Sequence, residues 1–210
     1  MLKNIDLKDK RVIIRVDFNV PIIDGEITDN YRILKSIPTI NLCLKKGASI
    51  ILISHLGRPN GVDLNYSLLP ICDELERLLD KSIYFSDSCI SNKAFVKSSS
   101  LKEGEIHLLE NLRFHPGEKQ NCPKFAQKLS FHGDLYINDA FGTIHREHAS
   151  NISLAKLFSE KYYGLLIEKE LHYLNECTYD PVRPMTLVLG GAKINGKIEL
   201  IENFLSIADN

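Results

Sequence analysis

The chain has 210 residues, of which 44% are hydrophobic and 25% are charged, and its formal net charge is −1. This balance is typical of a globular protein and argues against a disordered, fibrous or strongly basic nucleic-acid-binding class. No segment approaches the roughly 20 apolar residues that span a bilayer, and the amino terminus lacks a signal-peptide stretch. The five cysteines are scattered, with no CxxC pair, as expected of reduced structural thiols. We therefore expect a cytoplasmic protein that binds neither membranes nor nucleic acids.

Short apolar runs alternate with amphipathic segments along the chain. The amphipathic segments include residues 31–46 and 68–80, and the serine-rich residues 97–100 are interpreted as a solvated turn. Alternating strands and helices predict an α/β fold, a Rossmann-like parallel sheet sandwiched by helices. The predicted buried strands are residues 11–16, 49–53, 106–109, 134–137 and 186–189.

The last third of the chain has a different pattern. Residues 159–176 have a helical pattern that ends near Pro181 and Pro184, which predicts a connector between two lobes. One strand-turn-helix unit follows, and a single unit cannot form a sheet by itself. The expected organisation is an amino lobe at 1–158, an interlobe helix at 159–178 and the start of an incomplete second lobe at 186–210.

Arginines collect near the predicted strand ends. Ligands of open parallel sheets bind beyond the carboxyl ends of the strands, and a guanidinium group meets phosphate or carboxylate oxygens through two hydrogen bonds. For any one arginine, a surface ion pair such as Arg113 with Glu110 is an equally good interpretation. Together they predict an anion pocket. The five arginines at or shortly after strand ends are Arg15, Arg32, Arg58, Arg113 and Arg146.

Two loops add polar side chains to this pocket. Asp17 and Asn19 follow the first predicted strand, where they can bind a hydroxyl group or form an Asx turn. His55, Gly57 and Arg58 share the loop after the second strand. An isolated histidine is more often structural, but this combination favours a ligand site. We expect a bound anion to raise the pKa of His55, so that binding strengthens as the pH falls.

Three longer runs, at residues 24–32, 109–115 and 138–150, resemble phosphoglycerate kinase, and the resemblance extends from about residue 3 to the last residue. It implies two Rossmann-like lobes, one for phosphoglycerate and one for the nucleotide. The reaction would be reversible phosphoryl transfer in glycolysis, from 1,3-bisphosphoglycerate to ADP, with Mg²⁺ carried by ADP or ATP. The family resemblance also implies a monomer.

The resemblance assigns substrate residues position by position. Arg32 also matches the arginine that stabilises the transferred phosphoryl group, and Arg15 and His145 match the surrounding basic patch. The positions that match the family's substrate residues are Asp17, Phe18, Asn19, Arg32, His55, Leu56, Gly57, Arg58, Arg113 and Arg146.

Near the carboxy terminus, residues 189–198 resemble the start of the nucleotide lobe. By resemblance, Lys193 steadies the transferred phosphate and Lys197 binds the nucleotide phosphates, so Arg32 and Lys193 are the expected catalytic residues. Two departures concern the site: Glu147 adds a carboxylate beside Arg146, and residues 195–196 replace the usual small-residue and acid pair.

The family continues with further nucleotide-lobe strands after the position that matches Asn210. One hypothesis is therefore a truncated phosphoglycerate kinase, the amino lobe of a two-lobe kinase, that is inactive alone and reaches ADP or ATP through the missing lobe. The alternative is a non-catalytic module that binds 3-phosphoglycerate and has lost the kinase reaction. A generic dinucleotide-binding domain is disfavoured, because no GxGxxG motif follows the first strand.

Overall fold

The computed structural model describes residues 2–179, 181–190 and 198–210, which form two compact units, one ending at Ile167 and one beginning at Glu168. The strands are β1 (Arg11–Arg15), β2 (Ile22–Ile23), β3 (Glu26–Ile27), β4 (Ser49–Ile53), β5 (Ile83–Ser86), β6 (Ile106–Leu109), β7 (Leu135–Asn138) and β8 (Lys161–Tyr163). The helices are α1 (Tyr31–Lys45), α2 (Leu69–Leu79), α3 (Asn92–Ser99), α4 (Pro116–Lys119), α5 (Pro123–Ser130), α6 (Ser153–Leu157), α7 (Leu165–Tyr179) and α8 (Ile198–Leu205).

Six strands of the first unit form one parallel sheet in the order β5-β6-β4-β1-β7-β8. The central strand β1 pairs with β4 on one side and β7 on the other, so that Val12 lies between Ile50 and Leu135. Strands β2 and β3 form a separate antiparallel hairpin. The predicted parallel α/β sheet is confirmed.

Helices cover both faces of this sheet. Successive residues of a strand point to opposite faces, and in β1 Val12 and Ile14 pack in one hydrophobic core while Ile13 packs in the other. Helices α1 and α2 contribute to the first core, and α3, α5 and α6 contribute to the second. Burial raises the pKa of Cys43, in the first core, to about 12, as expected for a structural thiol.

The first four predicted strands and the first two predicted helices lie within one residue of the observed elements. The predicted strand at 186–189 is wrong, since these residues form no strand and Val188 is 88% exposed. The predicted helix at 159–176 begins instead at Leu165, because β8 pairs with β7 ahead of it. The observed units divide at residue 167, whereas the assignment of the two lobes to phosphoglycerate and nucleotide stays a prediction.

The prediction of a solvated turn at 97–100 is also wrong. Ser98 lies on α3 and is fully buried, with its Oγ 2.9 Å from Nδ1 of His107 and 2.6 Å from Nδ1 of His132. The outer nitrogens of the two rings contact Oγ of Ser86 at 2.8 Å and the carbonyl oxygen of Cys89 at 3.0 Å. We call these five residues the histidine core cluster.

In the second unit, residues 183 and 185 are bonded to Asp209, near the end of the chain. Arg183 pairs with Asp209 at 2.9 Å, and the backbone N–H of Met185 donates to Oδ2 of Asp209 at 2.7 Å. A cavity of about 220 Å³ lies against α8 and is lined partly by Leu187 and Phe204. Within the described ranges, no helix is both long and apolar enough to cross a membrane.

Candidate active site

Four loops meet at the carboxyl ends of the adjacent strands β6, β4, β1 and β7. Backbone hydrogen bonds join them: the N–H of Val16 donates to the carbonyl oxygen of Ile53 at 3.1 Å, and that of Asp139 to the carbonyl oxygen of Arg15 at 2.8 Å. The sheet thus brings together the segments in which sequence analysis placed the pocket, at the edge where open parallel sheets bind ligands.

The loop after β1 is tied to α1 and to the loop after β4. Nη1 of Arg32 lies 2.7 Å from Oδ2 of Asp17, and the N–H of Gly57 donates to Oδ1 of Asn19 at 2.8 Å. Arg32 remains 52% exposed, so its ion pair with Asp17 lies at the rim of the pocket. The side chain of Phe18 is fully buried in the core and anchors this loop.

Gly57 shapes the loop after β4. Its φ is +58°, which only glycine adopts at little cost, and a Cβ at this position would collide with the ring of Tyr66. Leu56 is buried, and both its backbone N–H and its carbonyl are bonded to the side chain of Asn111. Nη1 of Arg113 donates to the carbonyl oxygen of Gly57. The loop is therefore fixed from three sides.

His55 is held as a neutral ring. It is 2% exposed, and its Nδ1 lies 3.0 Å from Nη2 of Arg15. Because a guanidinium group can only donate, Nδ1 must accept, and the ring proton lies on Nε2. Burial, followed by the charges of Arg15, Arg113, Arg146 and His148, lowers the pKa of His55 far below its usual range. The unliganded ring is therefore neutral, and the expectation that a bound anion raises the pKa of His55 stays a prediction.

Arg113 is a buried cation with unused bonding capacity. It is 5% exposed, and its Nε has no hydrogen-bond partner within residues 2–179, 181–190 and 198–210. Burial, together with the charges of Arg146 and Arg15, lowers its pKa to about 10. The carboxylate of Glu110 is bonded instead to Ser67 and to backbone N–H groups, so the surface ion pair considered from sequence is wrong.

Glu118 places a buried carboxylate beside these cations. Glu118 is fully buried and accepts from the hydroxyl of Ser150 at 2.6 Å and from its N–H at 3.0 Å. His148 lies 3.7 Å from the same carboxylate, yet burial and the charges of Arg113, Arg146 and Arg15 lower its pKa to about 4. The positive charges of Arg15, Arg113 and Arg146 therefore outweigh the negative charge of Glu118 at His148.

The remaining predicted residues lie at the periphery. Arg58 and His145 are exposed, although the charge of Arg58 contributes to lowering the pKa of Arg113. Glu147 is exposed and makes no ion pair with Arg146 in the part of the chain that the structure describes. Lys193 and Lys197, as well as residues 195–196, lie outside the described residues.

Sequence reasoning assigned no role to Glu118, Ser150, Asn111 or Tyr66. Asn111 lies inside the run at 109–115 and Ser150 closes the run at 138–150, so their position in the recognised motifs was a usable signal. The role of Glu118 is harder to predict from the sequence, because a single glutamate in a polar segment is normally exposed to solvent. Its burial becomes visible only when α4 is placed against residues 148–150.

The comparisons agree with this geometry. The profile of the phosphoglycerate kinase family matches residues 2–210. The phosphoglycerate kinase of Prosthecochloris aestuarii is 45% identical over 210 residues, with 99% of this chain and 53% of that protein covered. The enzyme of Thermosipho africanus is 47% identical over 209 residues and is covered to 52%. The chain thus spans about half the length of the curated relatives it matches.

Solved structures give the same result. The phosphoglycerate kinase of Pyrococcus horikoshii superimposes with a TM-score of 0.89 at 33% identity, covering 99% of this chain and 53% of that one. The phosphoglycerate kinase of Coxiella burnetii superimposes with a TM-score of 0.87 at 34% identity, covering 98% of this chain and 52% of that one. With its sequence, its sheet and its arginine-lined strand ends all in agreement, the chain belongs to the phosphoglycerate kinase family.

Proposed function

We propose that this chain binds 3-phosphoglycerate or 1,3-bisphosphoglycerate in the arginine-lined cleft, as the substrate-binding part of a phosphoglycerate kinase. The observation that carries the proposal is Arg113, a buried guanidinium whose Nε has no partner among the described residues and whose neighbours Arg15 and Arg146 are also cations. A buried charge without a partner is costly. A multiply anionic ligand would supply both the charge and the hydrogen-bond acceptors.

The loops supply further groups for such a ligand. Arg146 and Arg58 act with Arg113 on the phosphate and carboxylate ends, and Arg32 at the rim meets the phosphoryl group in transfer. Asp17 and Asn19 accept from a hydroxyl group. Phe18, Leu56 and Gly57 act through the loops they fix, since the side chains of the first two are buried.

We propose reversible phosphoryl transfer between 1,3-bisphosphoglycerate and ADP as the reaction to which the cleft contributes. Mg²⁺ enters as part of the nucleotide substrate, and Lys193 and Lys197 contact its phosphates. Such transfer depends on positioning and charge neutralisation rather than on a covalent intermediate. The chain spans 53% of the length of the Prosthecochloris aestuarii phosphoglycerate kinase, and we propose that it is not a competent kinase alone.

Calorimetry with 3-phosphoglycerate tests binding, and a coupled assay with MgATP tests turnover of the same sample. We expect binding without turnover, and no binding of glycerate, which lacks the phosphate. Adding the complementary half of a related phosphoglycerate kinase should restore turnover. Binding that never leads to turnover supports the non-catalytic module instead, and absence of binding contradicts both proposals.

Arg113→Met is the variant that tests the site, and Arg11→Met is its matched control. Arg11 begins the central strand β1, at the amino end of the strand and therefore at the opposite edge of the sheet from Arg113, and it pairs with Asp134 at 2.6 Å. Both changes remove one positive charge from the chain. If the cleft binds the ligand, only Arg113→Met abolishes the calorimetric signal, whereas equal losses would indicate a nonspecific charge effect.

A further inference from the structure

A continuous series of hydrogen bonds, which we call the relay, leads from Glu118 through Ser150 and Arg15 to His55. The hydroxyl of Ser150 contacts Oε1 of Glu118 at 2.6 Å, Nε of Arg15 contacts that hydroxyl at 3.0 Å, and Nη2 of Arg15 contacts Nδ1 of His55 at 3.0 Å. Glu118, Ser150 and Arg15 are fully buried, and His55 is nearly so. Water therefore has little access to these hydrogen bonds.

The chemistry of the groups fixes the direction of every bond. An ionised carboxylate only accepts, so the hydroxyl of Ser150 donates to Glu118 and its oxygen is left to accept from Arg15. Arginine only donates, so Nδ1 of His55 accepts. Nη1 of Arg15 donates to the carbonyl oxygen of Val16, which fixes the guanidinium plane. Each of the three guanidinium nitrogens of Arg15 thus makes a hydrogen bond.

We propose that Glu118 is a positioning residue which, through Ser150 and Arg15, keeps His55 neutral with its proton on Nε2. This inference rests on the proposed function, and it adds the Nε2–H of His55 as a donor to the phosphoglycerate. A proton on Nδ1 would oppose the N–H of Arg15. The relay therefore selects the one ring form that offers a donor to the ligand without carrying a charge.

A counterion role for Glu118 is the competing explanation, and Ser150 separates the two. A counterion acts through its charge, which remains when the hydroxyl is removed. A positioning residue acts through the hydroxyl that stands between the carboxylate and Arg15. The backbone N–H of Ser150 also donates to Glu118, at 3.0 Å, so Ser150→Ala keeps the carboxylate anchored while breaking the relay.

The experiment measures the ring form of His55 directly, by long-range ¹H–¹⁵N NMR of the unliganded chain, and then the affinity for 3-phosphoglycerate by calorimetry. For the unchanged chain we expect one neutral ring form with the proton on Nε2. Ser150→Ala should give a mixture of both neutral forms and an affinity reduced about tenfold, as for a lost hydrogen bond to a charged group. Ser150→Thr, which keeps the hydroxyl, should restore both readouts.

Ser130→Ala, at the end of α5, is the matched control, since the hydroxyl of Ser130 is bonded only to the carbonyl oxygen of Gln127 in the described structure. It should change neither readout. Glu118→Gln should mix the ring forms as Ser150→Ala does. If either variant fails to fold, Arg15→Lys provides the same test, because an ammonium group cannot bond Ser150 and His55 in the fork geometry.

Three results would overturn the inference: a proton on Nδ1 in the unchanged chain, an unchanged ring form in both Ser150→Ala and Glu118→Gln, or mixed forms in Ser130→Ala. Failure of 3-phosphoglycerate to bind is a different result. It contradicts the proposed function, while the spectrum of the unliganded ring still decides whether Glu118 positions His55.

Discussion

Two buried networks in the first unit contain histidine, and they differ in how completely they are bonded. In the histidine core cluster, the carbonyl of Cys89 can only accept, so Nε2 of His132 donates to it and its Nδ1 accepts from Ser98. The oxygen of Ser98 then accepts from His107, whose Nε2 accepts from Ser86. Every ring nitrogen in this cluster is used, and no net charge is buried.

The network around Arg113 is charged and incomplete. It buries Arg15, Arg113 and Glu118, and Nε of Arg113 has no partner in the part of the chain that the structure describes. Buried polar groups are normally satisfied, and an exception calls for an explanation. Neutral histidine therefore has a different role in each network. In the core it completes a closed set of hydrogen bonds, whereas at the carboxyl ends of the strands it belongs to a set of hydrogen bonds that a ligand would complete.

The largest expected effect separates the two networks through binding. Arg113→Ala should weaken 3-phosphoglycerate binding by about 2–5 kcal/mol, because a buried charge would lose its partner. The same change should leave the acid sensitivity of the histidine core cluster unaltered. Isothermal titration calorimetry measures the affinity, and a loss below its resolution would reduce Arg113 to a structural cation.

Ser98→Ala should have the converse effect, on stability alone. It leaves Nδ1 of both His107 and His132 without a partner, and each unsatisfied group costs about 1–3 kcal/mol. Urea unfolding followed by circular dichroism measures the free energy of unfolding. Ser99→Ala, one residue along α3 and exposed, is the control that should cost much less. Unchanged affinity for 3-phosphoglycerate in the folded variant would sharpen the comparison.

Acid should destabilise the closed cluster. Burial lowers the pKa of His107 to about 3 and that of His132 to about 4, from 6.5 in the unfolded chain. Below pH 6.5 the unfolded state therefore binds more protons, and the free energy of unfolding falls as the pH drops towards 4. At pH 5 each ring should lower the free energy of unfolding by about 2 kcal/mol relative to its value above pH 7.

His132→Phe tests this origin, because it keeps the ring contact with Phe95 and removes one titrating group. Its free energy of unfolding should depend less on pH between 7 and 5 than that of the unchanged chain. The exposed His172 on α7 provides the control variant His172→Phe, whose pH dependence should match the unchanged chain. Equal slopes in all three proteins would contradict the assignment.

The smallest expected effect is on the pH dependence of binding. His55 and His148 face the cations Arg15, Arg113 and Arg146, and both pKa values are lowered. Neither ring should take up a proton on binding, so the affinity for 3-phosphoglycerate should change by less than about twofold between pH 8 and 7. Calorimetry in two buffers of different ionisation enthalpy counts protons directly, and uptake of a full proton would show that His55 becomes charged.

The sequence was most informative where strands are buried on both faces. Residues 50–53 form an unbroken apolar run, and β4 runs from Ser49 to Ile53 as predicted. The strands β5 and β8 were missed because they lie at the edges of the sheet, where only one neighbour pairs with them and exposed residues such as Tyr84 and Tyr163 interrupt the apolar pattern. The apolar run at 186–189 was mistaken for a strand, since apolar character cannot show whether a partner strand is present.

For the site, the sequence indicated which residues to consider but not how they are bonded. The positions of Arg113 and Arg146 after strands were readable. That Arg15 is fully buried, and that His55 accepts a hydrogen bond from it, depends on contacts 40 residues apart in the chain. The burial of Ser98 likewise depends on His132, 34 residues away, so a local reading of 97–100 could only suggest a solvated turn.

The central position of β1 has a consequence for folding kinetics. Val12 pairs with Leu135, and the intervening chain must close before these two strands meet. Pairings between distant segments are slow to form because the entropy of a long loop is lost before the contacts are gained. The loops after β1 and β7, which hold Asp17 and Arg146, become neighbours only at that step. We therefore expect the cleft to form late during refolding, after the local pairing of β1 with β4.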